Sequence, residues 1–374
     1  MGELTLLAVG DVAANREDLA SILAKAAPTL RQGDFVFGQM EAPLSDRGDR
    51  AAHAKLAMRS PPAFGRVCAD AGFNIMSVAG NHVMDFGPEA LADTFVHGAA
   101  AGLTFGGAGA TIAQARQPAI IERGGVRLAV VAVSSILPMG YEATETRPGC
   151  APMRGFTSYE MIEHDQPGTP PRVRTFPHPE DLARLREDIA LARAQADIVA
   201  LSIHWGIHLI PAEISDYQRE VAHAAIDAGA DIVLGHHPHI LKGVEFHKGK
   251  AIFYSMGNFA IDQPQAFDAA IMQSRSFKEL MDLNPDFDVN NLYVLPPDTR
   301  YTLIVKAVIR NGAIAELGFL PAWIGDDSAP MPLGSDDPHF NCVVGYMRDI
   351  SVSQDLRVDY SPHGDWVRVT PGGG

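Results

Sequence analysis

Short apolar segments rich in Val, Ile and Ala alternate with longer amphipathic segments along most of the chain. The apolar segments predict strands at residues 4–9, 35–38, 75–79, 128–133, 198–203, 232–234 and 252–255. The segments between them predict helices at residues 17–27, 62–71, 88–101, 179–194 and 215–228. Strands that are apolar throughout are typically buried on both faces of a sheet, so this alternation predicts an α/β fold.

The pattern changes in three places. Residues 301–310 and 313–320 flank Asn311-Gly312 and predict a hairpin, which implies an antiparallel edge or a second sheet. Residues 138–178 are rich in proline and predict a long loop, and residues 262–298 hold a helix predicted over 267–283. Long insertions are commonly lids or disordered segments, so a substrate-shaping role is a hypothesis for both. We expect one domain over residues 1–325, with a C-terminal extension over 326–374 that packs on it.

Composition and charge exclude several classes of protein. The chain has 374 residues, of which 47% are hydrophobic and 20% charged, which is typical of a globular protein rather than a disordered one. Lys and Arg total 30 against 45 Asp and Glu, so the formal charge is −15 and nucleic acid is not an expected partner. The three cysteines, Cys68, Cys150 and Cys342, form neither a disulfide framework nor a zinc pattern, which favours a reducing compartment.

The expected location is the cytoplasm. The first strand follows directly on Met1-Gly2-Glu3, without the basic and apolar regions of a signal peptide. No apolar run reaches the roughly 18 residues of a membrane helix, so no membrane partner is expected. A small-molecule substrate is the expected partner, and the sequence is compatible with a homo-oligomer.

Polar residues follow the predicted strands. They are Asp11, Glu41, Asn81-His82, His204 and His236-His237-Pro238-His239, each after a different strand. Because ligands bind beyond the carboxyl ends of strands in open α/β sheets, we expect these groups to converge on one crevice. Carboxylate, amide and imidazole ligands suit Mn, Fe or Zn, so one or two such divalent ions are the expected cofactor.

Some of these residues also have structural interpretations. Asp11 alone fits a helix N-cap, and His204 alone fits a buried core histidine beside Trp205. Three imidazoles within the four residues 236–239 are rarely structural. Taken together at matching strand ends, the groups favour a metal site.

In order and spacing these motifs resemble the CapA proteins of capsule biosynthesis, which are linked to poly-γ-glutamate synthesis and belong to the calcineurin-like metallophosphatase superfamily. The motifs are Gly10-Asp11, Glu41-Ala42-Pro43-Leu44, Gly80-Asn81-His82-Val83-Met84-Asp85-Phe86-Gly87, His204-Trp205-Gly206, Gly235-His236-His237-Pro238-His239 and Ser255-Met256-Gly257-Asn258-Phe259. The resemblance covers roughly residues 4–262. It implies a four-layer αββα sandwich, in which two facing sheets are covered by outer helices, with a metal centre at the strand ends.

The resemblance also implies roles for individual residues. Asp11 would be the first-site carboxylate and Glu41 the bridging one, while Asn81 and His204 would bind the second metal. The remaining roles are the metal ligands His237 and His239, which keep a His-x-His spacing, and the general acid His82, held by Asp85. His236 competes with His237 for its role, and we prefer His237.

The sequence departs from the superfamily pattern at four positions. Ala13 stands where an Asp-x-His motif would have histidine, which leaves a single-ion site as an alternative. Glu41 replaces the usual aspartate, and Gln39 stands where relatives commonly have asparagine. His208 stands where family members tend to carry glutamate, and it could bind metal, contact an acidic substrate or fill space.

The expected function is metal-dependent hydrolysis of a small-molecule ester, lactone or amide by a metal-bound hydroxide. His82 would protonate the leaving group, and His208 or Asn258 would stabilise the oxyanion. The alternatives are a phosphoester hydrolase, a non-catalytic polyglutamate or capsule accessory protein, and an oxidative Mn or Fe enzyme. A polyanionic substrate would need a cationic clamp, for which the loops offer Arg59, Arg154, Arg172 and Arg174.

Overall fold

The computed structural model describes residues 2–373 except His53 and Lys55. The strands are β1 (Leu4–Ala13), β2 (Phe35–Met40), β3 (Ile75–Ser77), β4 (Thr104–Gly106), β5 (Ala108–Gly109), β6 (Ala119–Arg123), β7 (Val126–Ser134), β8 (Gly149–Cys150), β9 (Gly155–Glu160), β10 (Arg172–Pro177), β11 (Ile198–His204), β12 (Ile232–His236), β13 (Val244–His247), β14 (Lys250–Phe253), β15 (Asn258–Ile261), β16 (Tyr301–Arg310), β17 (Ala313–Ile324), β18 (Pro330–Pro332), β19 (Val358–His363) and β20 (Trp366–Pro371). The α-helices are α1 (Ala27–Leu30), α2 (Phe64–Ala71), α3 (Gly87–Ala101), α4 (Ile112–Ala115), α5 (Pro179–Arg193), α6 (Asp216–Ala228), α7 (Pro264–Phe267), α8 (Arg275–Leu283) and α9 (Pro338–Val352). Short 3₁₀ helices lie at Leu19–Ile22, Ile271–Gln273 and Pro297–Arg300. The protein is a mixed α/β fold with several sheets, as the alternating pattern predicts.

Two large sheets organise the molecule. The first has ten strands in the order β19-β20-β17-β16-β1-β2-β3-β4, with β15 paired to β1 and β18 to β17. The second has six strands in the order β13-β14-β12-β11-β7-β6. In the first sheet β1 to β4 are parallel and form one half, and the other half is antiparallel. In the second sheet β7, β11, β12 and β14 are parallel, and antiparallel β6 and β13 stand at its edges. The carboxyl ends of the parallel strands therefore meet at one edge of each sheet.

Alternating residues of β7 explain how the second sheet is buried. Leu128 and Val130 pack in the cluster that holds β1 and β2, whereas Ala129 and Val131 pack with α5 and α6. The two large sheets also touch directly, because the ring of Phe37 in β2 lies 5.8 Å from that of His236 in β12. The continuous apolar pattern of this strand thus reflects burial on both faces.

The helix predicted over residues 17–27 is wrong. Asp18 caps a 3₁₀ helix by accepting a hydrogen bond from the amide of Ala20, and α1 begins only at Ala27. Pro28 has no amide hydrogen to continue a preceding helix, but it suits the first turn of a new one.

The helix predicted over residues 267–283 is also wrong, because the chain is broken into α7, a 3₁₀ turn and α8. Asp268 and Ser274 have extended backbones between these pieces. The hydroxyl of Ser274 accepts from the amide of Phe277 and so starts α8 afresh. The proline-rich loop of residues 138–178 in turn contains the β9–β10 hairpin, which the sequence analysis did not predict.

The predicted hairpin near the end of the chain is present as β16 and β17, and β17 runs on to Ile324. Strands β18 and β20 pair with β17, so residues beyond 325 extend the large sheet. No helix among the described residues is long and apolar enough to cross a membrane.

Candidate metal centre

Strand register brings the predicted polar residues together. In the first sheet Asp11 lies beside Gln39 of β2 on one side and Asn258 of β15 on the other. In the second sheet His204 lies beside His236 of β12. Asp11 is therefore a buried strand residue rather than a helix cap.

One group of ligands has the spacing of a metal site. One atom from each of Asp11, Glu41 and His239 lies within 4.8 Å of the others. His239 bridges the carboxylates, with Nε2 3.5 Å from Glu41 Oε1 and Nδ1 3.7 Å from Asp11 Oδ2. Asn258 Oδ1 lies 2.6 Å from His239 Nδ1 and thereby orients the ring.

Asn81, His204 and His237 form a second group beside the first. His204 Nε2 lies 2.6 Å from Asn81 Oδ1, and the rings of His204 and His237 are 4.9 Å apart. The amide of His237 donates to Asp11 Oδ2 at 3.3 Å, which connects the two groups. Burial and neighbouring imidazoles lower the pKa of both histidines well below the ordinary value, so both are neutral and able to bind metal.

Several buried atoms of these groups and of the neighbouring His236 are left without a hydrogen-bond partner among the described residues. They are Asp11 Oδ1, both Glu41 carboxylate oxygens, His204 Nδ1, His236 Nδ1 and Nε2, and His237 Nδ1. Burial, followed by the charge of Asp11, raises the pKa of Glu41 well above its ordinary value. Buried, unpaired acceptors are costly unless a cation compensates them, so this donor set fits a divalent ion.

The two competing histidines occupy different places. His236 is fully buried, with Nδ1 3.3 Å from Asp11 Oδ1. His237 lies beside His204, at a φ of +95°, and His239 has a φ of +58°. Non-glycine residues seldom adopt such angles, and those that do concentrate at functional sites. The preference for His237 over His236 stays a prediction, because both rings face ligand groups.

His82 is held next to the ligands rather than among them. Its Nε2 lies 4.0 Å from Glu41 Oε1, and its Nδ1 lies 2.6 Å from Asp85 Oδ2. Burial lowers the pKa of His82, but the charge and hydrogen bond of Asp85 and the charge of Glu41 outweigh burial and raise it above the ordinary value. His82 is therefore suited to carry a proton near neutral pH.

Asp85 is fixed by residues that sequence analysis did not associate with it. The hydroxyl of Tyr141 donates to Asp85 Oδ1 at 2.8 Å, and the amide of Met58 donates to Asp85 Oδ2 at 2.7 Å. Tyr141 lies in the proline-rich insertion. An aromatic residue among prolines and glycines carries no periodic signal, so only the tertiary structure shows this contact.

His208 lies beside the ligand histidines His237 and His239. Its ring lies 5.5 Å from that of His237 and 5.0 Å from that of His239. Burial and the neighbouring His239 lower the pKa of His208 to about 3, so it is a neutral imidazole at physiological pH. It is placed to contact a substrate or a metal without adding positive charge.

The four arginines that could clamp a polyanion have other partners. The Arg59 guanidinium lies 4.3 Å from the ring centroid of Phe86, and Arg154 Nε lies 2.7 Å from Asp181 Oδ2. Arg172 and Arg174 both pair with Glu160 on the β9–β10 hairpin, at 3.4 and 3.3 Å. The charges of Arg154, Arg172 and Arg174 are therefore compensated by acidic side chains, whereas Arg59 stacks on an aromatic ring.

The chain is similar to bacterial capsule proteins. Residues 5–263 match the family described as Bacterial capsule synthesis protein PGA_cap. The chain is 30% identical over 257 residues to the PGA biosynthesis protein CapA of Bacillus subtilis (strain 168), a match covering 68% of this chain and 60% of that protein. It is 28% identical over 284 residues to the Capsule biosynthesis protein CapA of Bacillus anthracis, covering 72% of this chain and 63% of that protein. The match thus spans less than two thirds of either relative.

Likeness to solved structures is weaker. A hypothetical protein from Thermus thermophilus superposes with a TM-score of 0.46 and 14% identity, over 85% of this chain and 98% of that one. This likeness is too low to define a common fold.

Proposed function

The chain belongs to the family of the bacterial capsule synthesis protein PGA_cap, and on that premise we propose that it is a metal-dependent hydrolase of small-molecule esters, lactones or amides. The finer architecture, a four-layer αββα sandwich of the metallophosphatase type, is part of this proposal. The metal ligands in this proposal are Asp11, Glu41, Asn81, His204, His237 and His239, and the metal is Mn, Fe or Zn.

One observation carries the proposal. Buried carboxylate and imidazole atoms of Asp11, Glu41, His204 and His237 lack partners among the described residues, and a positioned imidazole stands beside them. A purely structural cluster would satisfy its buried polar groups internally. Unsatisfied acceptors next to a carboxylate-held histidine are the arrangement expected of a metal site with an adjacent proton donor.

A divalent ion, when bound there, supplies Lewis acidity towards a carbonyl oxygen and makes water more acidic. The residues of the chain do the rest. His82 keeps a proton on Nε2 because Asp85 accepts from Nδ1, and it passes that proton to the leaving oxygen or nitrogen. Water thus adds a hydroxyl to the acyl carbon, the acyl–oxygen or acyl–nitrogen bond breaks, and the leaving group departs protonated.

Substitution of His82 and His204 tests the assignment. In metal-reconstituted protein, His82→Ala is expected to retain metal and to lower turnover of aryl esters and amides by about 10²–10⁴-fold, the usual contribution of a general acid. His204→Ala is expected to lose metal and activity together. His223→Ala is the matched control, because His223 lies on α6 and pairs with Glu245, away from the ligand groups. Full turnover by His82→Ala would remove it as the proton donor.

Family membership favours a second candidate, a capsule or polyglutamate accessory protein without catalysis. That candidate gains if the protein binds metal stoichiometrically but turns over no ester, amide or phosphoester. Turnover confined to phosphodiesters would instead select the phosphoester hydrolase.

A further inference from the structure

A cavity of about 740 Å³ opens directly onto the ligand groups. The residues that line it include Asn81, His82, His208, His237 and His239. Most of the remaining lining is apolar and includes Leu56, Met58, Leu137, Leu209, Phe267 and Phe287. A cavity of this size accommodates a drug-sized molecule, and its apolar walls favour a ligand with a large apolar part.

One wall of the cavity is built by the insertion at residues 262–298. Phe277 and Phe287 pack edge to face, with ring centroids 5.9 Å apart. They are buried in one cluster with Leu209, Ile271 and Val294. This packing makes the wall a preformed apolar surface rather than an open loop, and it reaches Leu209, next to His208.

The described lining contains no lysine or arginine. Its acidic groups are Asp85, which is bonded to His82 and Tyr141, and Asp262, which pairs with Arg16. Beyond the ligand groups, a glutamate oligomer or a polyphosphate would meet mostly apolar side chains among the described lining residues, and burying its charges against them is unfavourable.

We propose that this cavity holds the apolar part of the substrate, so that the enzyme hydrolyses an ester or amide of a medium-chain or aryl-substituted acyl group. The inference rests on the proposed function for the scissile bond. The apolar group lies against Phe267, Phe287 and Leu137, and this places the acyl carbon over the ligand groups beside His82. An acidic γ-glutamyl chain is a poor occupant.

Binding of the acid products tests the inference without turnover. Calorimetric titration of the purified protein, with and without added metal, would compare acetate, butyrate, hexanoate and octanoate with γ-glutamylglutamate. The carboxylate is common to the series, so the increment per methylene isolates the apolar wall. We expect affinity to rise about fourfold per methylene, the transfer free energy of one buried CH₂. Equal affinity from acetate to octanoate, or tighter binding of γ-glutamylglutamate, would overturn the inference.

Variants of the cavity lining test whether the gain in affinity per methylene arises in this cavity. Phe267→Gln is expected to cut the ratio of octanoate to acetate affinity by about tenfold, because a half-buried ring is replaced by an amide. Leu137→Gln on a separate segment of the lining provides a second, independent variant. Leu292→Gln is the matched control, since Leu292 lies in the same insertion but is 77% exposed and outside the cavity. If both variants fold and keep the wild-type gain in affinity per methylene, the apolar group binds outside this cavity.

Two results separate this inference from the proposed function. Chain-length-dependent binding without turnover of any ester or amide would uphold the apolar ligand class and contradict the hydrolase. Turnover of acetyl and octanoyl esters at equal kcat/KM, with no increment in binding, would uphold the hydrolase and overturn the apolar cavity as its substrate site.

Discussion

Asp85 sets the proton affinity of His82. It lies 2.6 Å from His82 Nδ1 and is itself held by the hydroxyl of Tyr141 and the amide of Met58. Its charge opposes the lowering of the His82 pKa by burial and raises that pKa above the ordinary value. A general acid is active while protonated, so the rate should be highest below this pKa and fall as the pH rises through it.

Asp85→Asn should shift the fall in rate at alkaline pH to lower pH. The variant keeps the shape of the side chain but removes the negative charge. Burial and the neighbouring His239 lower the pKa of His82, and only the charge of Glu41 then raises it. The measurement is the pH dependence of kcat/KM at constant metal content. Tyr141→Phe is the control, since it removes one hydrogen bond but leaves the charge. A fall in rate at the same pH in Asp85→Asn as in the wild type would show that His82 is not the titrating acid.

The part of the site that could be predicted from the sequence consists of residues that are close along the chain or that follow parallel strands. His82 and Asp85 are three residues apart in one turn, and the strand ends carry Asp11, Glu41 and His204, so their proximity follows from the parallel sheet. Tyr141 could not be predicted, because it reaches Asp85 from 56 residues away in an irregular insertion. The roles assigned to the individual ligands stay predictions.

At the scale of the elements, close approach of two strands positions Asp11. Strand β15 pairs with β1 through Asp11 and Asn258, and the amide of Asp11 donates to the carbonyl of Gly257 at 3.1 Å. A Cβ placed on Gly10 would lie 1.9 Å from that carbonyl oxygen. Only glycine at residue 10 allows the two backbones to approach this closely.

Gly10→Ala should therefore displace β1 from β15 and disturb Asp11. We expect unfolding to become easier by about 1–3 kcal/mol, the usual effect of overpacking, together with weaker metal binding. Denaturant unfolding and elemental analysis measure the two effects. Gly345→Ala is the matched control, because a Cβ there meets nothing within 4 Å, and alanine is favoured inside α9. Metal binding and stability equal to the wild type in Gly10→Ala would contradict this role.

Periodicity predicted the elements that are long and regular. The buried strands and helices α3, α5 and α6 follow the apolar pattern within a few residues. In both places where a predicted helix is wrong, residues 17–27 and 267–283, a side chain caps a short helix: Asp18 in the first and Ser274 in the second. Such local hydrogen bonds compete with a continuous helix and leave the hydrophobic pattern unchanged.

At the scale of the whole molecule, the C-terminal segment completes the ten-stranded sheet. Gly318 and Phe319 of β17 pair with β20, and α9 packs against the same sheet. Its buried apolar side chains include Phe340, Val343, Val344, Met347, Ile350, Tyr360, Val367 and Val369. Removal of this segment would expose both these side chains and the part of the sheet that they cover to water.

Truncation after residue 325 should therefore abolish cooperative unfolding rather than remove a separable tail. Circular dichroism and denaturant titration would compare it with truncation after Pro371, which keeps β20 intact. A truncated chain with the midpoint of the full chain would establish residues 1–325 as an independent domain.

Elemental analysis of the purified protein tests the central proposal most directly. The measurement is the molar ratio of Mn, Fe and Zn to protein, for the wild type and Asp11→Ala, before and after reconstitution. We predict one to two equivalents in the wild type and a clear loss in Asp11→Ala, because this carboxylate lies beside Glu41 and His239 and accepts from the amide of His237. A wild-type protein that holds no metal after reconstitution would contradict the metal centre and the hydrolase with it.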